Sequence, residues 1–158
     1  MIENNRFERI RNAAIAVGAE YGYWREAGWV ENILIRGNRI LDVGSSMNYD
    51  IGSYTSGAIS VFCRREDYSD SFRGNRNITI SDNIIERCPG AGIFLYSAEQ
   101  VTLRNNRLRD TATSPITPGS HHGFRNMRPL WIVNSIGIDA DAASRGQRGH
   151  ERNAAPLY

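Results

Sequence analysis

Apolar and polar residues alternate along four stretches of this chain, IENNRF, ILIRGNRI, ITISDNII and VTLRNNRL, and each carries an asparagine at the same place: Asn5, Asn38, Asn83 and Asn106. A period of two marks a β-strand with one buried and one solvated face. After each stretch comes a second short one with alternating apolar residues, Ala13 to Val17, Gly57 to Val61, Gly92 to Tyr96 and Leu130 to Val133, so the unit reads as two strands. No helical period is sustained anywhere. The shortest interval, from Asn83 to Asn106, is 23 residues, close to one turn of a stacked array. So short a unit cannot bury its apolar face alone, and successive turns must stack about 4.8 Å apart with equivalent strands paired in parallel. The pattern predicts an all-β fold, a right-handed parallel β-helix of about four rungs over residues 1–138, with long loops on two flanks.

Stacking sends Ile33 and Ile35, Ile78 and Ile80, and Val101 and Leu103 inward as columns. The asparagines read as a stacking device: at a corner, the amide can satisfy the bend and bond to its equivalent one turn on. Cys88, five residues after Asn83, occupies the place of Ile10, Val43 and Thr111 and reads as a small core residue.

Departures from the repeat must loop out on a flank, where function is usually placed. Six residues take the chain from Leu95 to Val101, but sixteen from Val17 to Ile33 and seventeen from Val61 to Ile78. Two enlarged loops thus leave adjacent rungs at one corner. The first holds Glu20, Tyr21, Tyr23, Trp24, Glu26 and Trp29; the second holds Arg64, Arg65, Glu66, Asp67, Tyr68 and Asp70. Aromatic faces beside carboxylates and guanidinium forks suit a sugar, whose CH groups stack and whose hydroxyls need charged partners. The plainer reading makes these aromatics a satellite cluster under a long loop.

The opposite flank is enlarged after Ile40 and after Leu108, in Gly-, Ser- and Pro-rich segments that include Asp42, Asp50, His121 and His122. Adjacent histidines are more often solvated than ligating, and no metal is assigned. From Asp139 the alternation and the asparagine are lost, so residues 139–158 read as an irregular or disordered tail. Both ends look like cuts, since a solenoid needs caps.

Composition narrows the field further. The net charge is +2, all 19 basic residues are Arg, and they are spread among 17 acidic ones without a basic patch, which argues against nucleic acid. No apolar run approaches the roughly 20 residues of a membrane span, and MIENNRF lacks the layout of a signal peptide. Two cysteines form neither a disulfide framework nor a zinc spacing.

The stretch from Ile2 to Gly44, with its Tyr23-Trp24-x-Glu26-x-Gly28 loop between two asparagine corners and its Val30-x-Asn32-Ile33 strand, resembles the β-helical glycoside hydrolases of the pectin-lyase-like superfamily, and among them the bacterial α-1,3-galactosidases. The likeness extends to about Ile138. It implies an oligosaccharide or glycan partner, a terminal galactoside, and inverting hydrolysis by two carboxylates without a cofactor. It also implies an extracellular or periplasmic parent protein. The family's paired Asp-Asp motif has no match here, since no two Asp residues are adjacent, which would place the catalytic acids upstream of Met1. Glu26 and Asp67 are then the best remaining catalytic carboxylates, with Tyr21, Tyr23, Trp24, Trp29, Arg64, Arg65 and Glu66 as binding residues. The alternative is a non-catalytic carbohydrate-binding or structural β-helix.

Overall fold

The computed structural model describes residues 1–19, 28–44, 57–63, 74–113 and 128–146. The first turn is made by β1 (Ile2–Glu3), β2 (Arg6–Glu8) and β3 (Ile15–Ala19), and the second by β4 (Glu31–Arg36), β5 (Arg39–Leu41) and β6 (Gly57–Cys63). The third comprises β7 (Asn75–Ser81), β8 (Ile84–Cys88) and β9 (Ala91–Tyr96), and the fourth β10 (Ala98–Arg104), β11 (Arg107–Thr111) and β12 (Leu130–Val133). A last strand, β13 (Ile136–Ala140), begins a fifth. All pairing is parallel and between rungs, in three sheets ordered β1-β4-β7-β10-β13, β2-β5-β8-β11 and β3-β6-β9-β12. The turn therefore has three strands, not the two that alternation suggests.

The missing break lies inside the asparagine-bearing stretches. The residue before each asparagine is left-handed: Asn4 at φ 56°, Gly37 at 64°, Asp82 at 56° and Asn105 at 54°. Asn, Asp and Gly are the types that adopt this conformation at least cost. Each stretch bends there and passes from the first sheet to the second. A second left-handed column, Asn32, Asn77, Gln100 and Gly137, interrupts the first sheet. The register skips it, pairing Glu31 with Arg76 and Ile33 with Ile78, and the Asn77 amide donates to the Asn32 amide across the gap.

The asparagine ladder forms as expected. Asn5 Nδ2 donates to Asn38 Oδ1 at 3.1 Å, Asn38 Nδ2 to Asn83 Oδ1 at 3.0 Å and Asn83 Nδ2 to Asn106 Oδ1 at 2.9 Å. The backbone N–H of each donates to the same oxygen. Asn38, Asn83 and Asn106 are buried, and each also donates to a carbonyl of the preceding rung, of Ile2, Ile35 and Ile80 respectively. A 3-10 turn, Ala143–Arg145, then sets Ser144 Oγ on the column, where it accepts from Asn106 Nδ2 at 3.0 Å. Residues 139 and 140 complete β13, which pairs with β10; residues 147–158 lie outside the described set.

Inside the coil, like stacks on like. Ile33, Ile78, Val101 and Ile138 form one column and Ile15, Ile59, Ile93 and Leu130 another, while Phe7, Ile40, Ile85 and Leu108 line the second sheet. Each fully buried Ile contributes roughly 1.5 to 3 kcal/mol. Cys88 stands opposite Thr111 in this core, and burial pushes its thiol up to about 11.

The third sheet departs from the expected alternation, because every residue of β6 and β9 is buried. Its outward positions form a second cluster of Phe62, Phe94, Tyr96 and Trp131, with ring centroids 5.7 Å apart for Phe62 and Tyr96 and 5.0 Å for Phe94 and Trp131. AISVFC, GIFLY and LWIV are near-continuous apolar runs, the mark of a strand buried on both faces.

Two outcomes follow from this packing. Asn83→Ala should lower stability by about 1 to 3 kcal/mol or more in urea unfolding, since it strands buried groups on both neighbouring rungs, while Asn5→Ala at the exposed end should cost much less; equal losses would remove the ladder from the account. Both cysteines are buried thiols, so a thiol reagent should label them only as the chain unfolds, and rapid labelling of Cys88 in the native state would contradict its placement.

Candidate functional site

The two loops read as a sugar site leave and rejoin the coil at one corner. β3 and β6 end in register, Ala19 opposite Cys63, and β4 and β7 resume in register, Glu31 opposite Arg76. Gly18 is needed at the entrance to the first loop: its φ is 148°, and a Cβ there would lie 1.6 Å from the Phe62 carbonyl oxygen. Tyr21, Tyr23, Trp24 and Glu26 of the first loop, and Arg64, Arg65, Glu66 and Asp67 of the second, lie outside the described residues, as do His121 and His122. Of the residues proposed from the sequence, Trp29 is described.

The roots of the loops are bound to one another. Cys63 Sγ, at the entry to the second loop, is 3.8 Å from the Gly28 carbonyl at the exit of the first. The Val30 N–H donates to Asn75 Oδ1 at 3.2 Å, and the Arg76 N–H donates to the Val30 carbonyl at 3.1 Å. The same corner continues upward through Gly74 N–H to the Ser97 carbonyl and Asn134 Nδ2 to Ser97 Oγ. Asn75 is fully buried, yet among the described residues its Nδ2 has no hydrogen-bond partner. A buried donor left unsatisfied costs about 1 to 3 kcal/mol, and such exceptions concentrate where a fold holds strain or function.

At this corner Trp29 is 46% exposed, and its indole N–H donates to Glu31 Oε1 at 2.8 Å. Arg76, from the next rung, donates through Nε to the same oxygen at 2.7 Å and forms a second contact with it through Nη2. The hydrogen bond from Arg76, and next that from Trp29, hold the Glu31 carboxyl below the usual carboxylate range. The arrangement presents a half-exposed indole with a charged pair at its edge.

Sequence reasoning placed Trp29 but missed Glu31 and Arg76, which lie on strands and not in the loops. The signal was there. Glu31 follows Trp29 by two, and Arg76 follows Glu31 by the same 45 residues that separate Asn38 from Asn83, so all three fall on one outer face of adjacent rungs.

Elsewhere, a groove of about 680 Å³ runs along the outer edge of β11, bordered by Asn105, Arg107, Arg109 and Ala142. It marks where the second sheet stops one strand short of the first and contains none of the residues proposed from the sequence.

Because Glu31 is held ionised when folded, its pairing contributes stability above the ordinary carboxylate range and loses it as pH falls through the lowered folded value. Thermal midpoints of the wild type and Glu31→Gln should therefore differ at neutral pH and converge in acid. A gap independent of pH would mean that the charge has no part in the contact.

A family model described as a right-handed β-helix region matches residues 1–126. Among curated proteins, the chain is similar to an α-1,3-galactosidase B of Phocaeicola vulgatus, 26% identical over 140 residues that make up 85% of this chain and 22% of that protein. An α-1,3-galactosidase A of Bacteroides fragilis is 26% identical over 124 residues, 78% of this chain and 20% of that protein. An α-1,3-galactosidase B of Bacteroides thetaiotaomicron is 31% identical over 116 residues, 73% and 18% respectively. The chain spans about a fifth of the length of these relatives.

Proposed function

This chain belongs to the right-handed β-helix family, and from that premise we propose that it is carbohydrate-active, forming part of an exo-acting, inverting glycoside hydrolase that removes a terminal α-linked galactose. The observation that carries this reading is the corner itself. Two long loops of adjacent rungs are rooted together beside a half-exposed Trp29 whose edge holds a carboxylate and a guanidinium. The names of the similar proteins supply the galactoside.

In this proposal Tyr21, Tyr23, Trp24 and Trp29 offer stacking faces, and Arg64, Arg65 and Glu66 bind hydroxyls. Glu26 and Asp67 are the candidate acid and base. Inversion requires two carboxyls about 6.5 to 9.5 Å apart, so that one protonates the leaving oxygen while the other activates water on the opposite face. Loops from adjacent rungs can span that gap. The setting is extracellular or periplasmic, as for an enzyme that meets glycans outside the cell. The lack of any adjacent Asp pair favours a second reading, a β-helix that binds the same glycan without cleaving it.

The two readings part on turnover. With an α-1,3-linked galactobiose, the first expects release of galactose that appears in NMR as the β-anomer before mutarotation. Glu26→Gln and Asp67→Asn should each reduce turnover by about 10²-fold or more, and Trp24→Ala should weaken binding by roughly 0.5 to 1.5 kcal/mol. Binding without cleavage selects the second reading, and neither binding nor cleavage rejects both.

A further inference from the structure

Glu31 takes both of its donors on one oxygen. Trp29 Nε1, Arg76 Nε and Arg76 Nη2 all meet Oε1, and among the described residues Oε2 has no hydrogen-bond partner. Arg76 uses Nε and Nη2 on Glu31 and, among the described residues, leaves Nη1 without one. An open acceptor on β4 and an open donor on β7 therefore flank the edge of a half-exposed indole that just precedes β4. The clamp spans two rungs, and its backbone is tied by Arg76 N–H to the Val30 carbonyl and by Val30 N–H to Asn75.

We propose that Trp29, Glu31 and Arg76 form a preformed subsite for one neutral hexopyranose, in which the indole carries the ring and the Glu31–Arg76 pair grips a hydroxyl at its rim. A hydroxyl donates one hydrogen bond and accepts others, which matches a carboxylate oxygen and a guanidinium N–H side by side. The aromatic face takes an apolar CH surface. Because the carboxylate is already neutralised by Arg76, the subsite suits an uncharged sugar and disfavours a uronic acid, whose carboxylate would meet Glu31. Galactose fits better than glucose, since its axial 4-hydroxyl leaves the hydrogens on C3, C4 and C5 together on one face, giving the indole a continuous apolar patch. Glu31 is at once a ligand-binding group and the positioning residue that sets the indole.

This assignment rests on the carbohydrate reading but goes beyond it, because it names a subsite for that sugar and two residues, Glu31 and Arg76, that the sequence reading did not single out. It also needs none of the loop residues that lie outside the described set. Its preorganisation is what would make a small site measurable, because little side-chain freedom is left to lose on binding.

The test follows the indole N–H signals of the chain's three tryptophans by NMR, with that of Trp29 assigned through Trp29→Phe. Methyl α-galactoside should shift the Trp29 signal saturably, and methyl α-glucoside and galacturonic acid should do so at least several-fold more weakly. Trp29→Ala should weaken galactoside binding at least tenfold by calorimetry, and Trp29→Phe should retain part of it. Glu31→Gln and Arg76→Gln should each weaken it several-fold at a temperature well below the thermal midpoint of either variant. Glu3→Gln, which breaks another exposed ion pair with Arg36 on the same sheet, should leave it alone. If the galactoside binds or is cleaved while the Trp29 signal stays still and Trp29→Ala keeps its affinity, the subsite is wrong and the carbohydrate reading stands. If glucoside and galactoside bind equally, the sugar assignment is wrong. If no saccharide binds or is cleaved, both fall together.

Discussion

A carboxamide carries two donor hydrogens and an oxygen with two lone pairs, and the inner corner of this solenoid uses all four at each buried rung. Asn38 and Asn83 each give one hydrogen to the next amide and one to a carbonyl of the rung before, while the oxygen takes an amide and a backbone N–H from that earlier rung. With no polar valence unspent, the corner can be buried, and with none to spare it can be placed in one position only. The strands on either side inherit their register from it. Only two residues separate the first sheet from the second in each of the four rungs, so this corner keeps one length throughout.

Variation is pushed to the other two corners. Between the third and first sheets, the third and fourth rungs close with one or two residues, while the first and second open into the long loops. Register on both sides of those loops is held by the stack and not by the loops, so they can change without moving the rungs. Rigid roots carrying permissive loops are the usual arrangement for a binding site on a repeat protein. The Glu31–Arg76 contact extends that rigidity outward by one layer, turning two separate loop exits into a joined platform.

What could be read in the sequence was whatever the stack repeats. The asparagine column and the Ile33, Ile78 and Val101 column were legible because one residue type recurs at one register position. The bend before each asparagine was not, since Asn4, Gly37, Asp82 and Asn105 share a conformation but no single identity, and each stretch was read straight through as one strand. The third sheet misled for a different reason. Ile59, Val61, Ile93 and Leu95 do alternate, but Phe62, Phe94 and Tyr96 fill the positions between them and are buried too, so counting only the inward residues hid the second face. Of the candidate corner, the shared position of the two loops was legible from loop lengths, and Trp29 was named from loop composition. Glu31 and Arg76 were not, because they become neighbours only when a 45-residue interval is laid rung upon rung.

The amide column also has a direction. In every bond from one column side chain to the next, the N–H donates toward the later rung, so the carboxamide dipoles add head to tail from Asn5 to Ser144, as peptide dipoles add along a helix. The positive end of that array meets Asp141, whose carboxylate accepts the N–H groups of Asn105 at 2.7 Å and Ser144 at 2.8 Å, and these contacts, Asn105 first, hold it below its ordinary range. At the negative end, Asn5 Oδ1 has no donor among the described residues. The coil is therefore electrically polar along its axis, one end offering an acceptor and the other closed by an anion, and anything that extends the column at Asn5 must arrive with its N–H groups foremost.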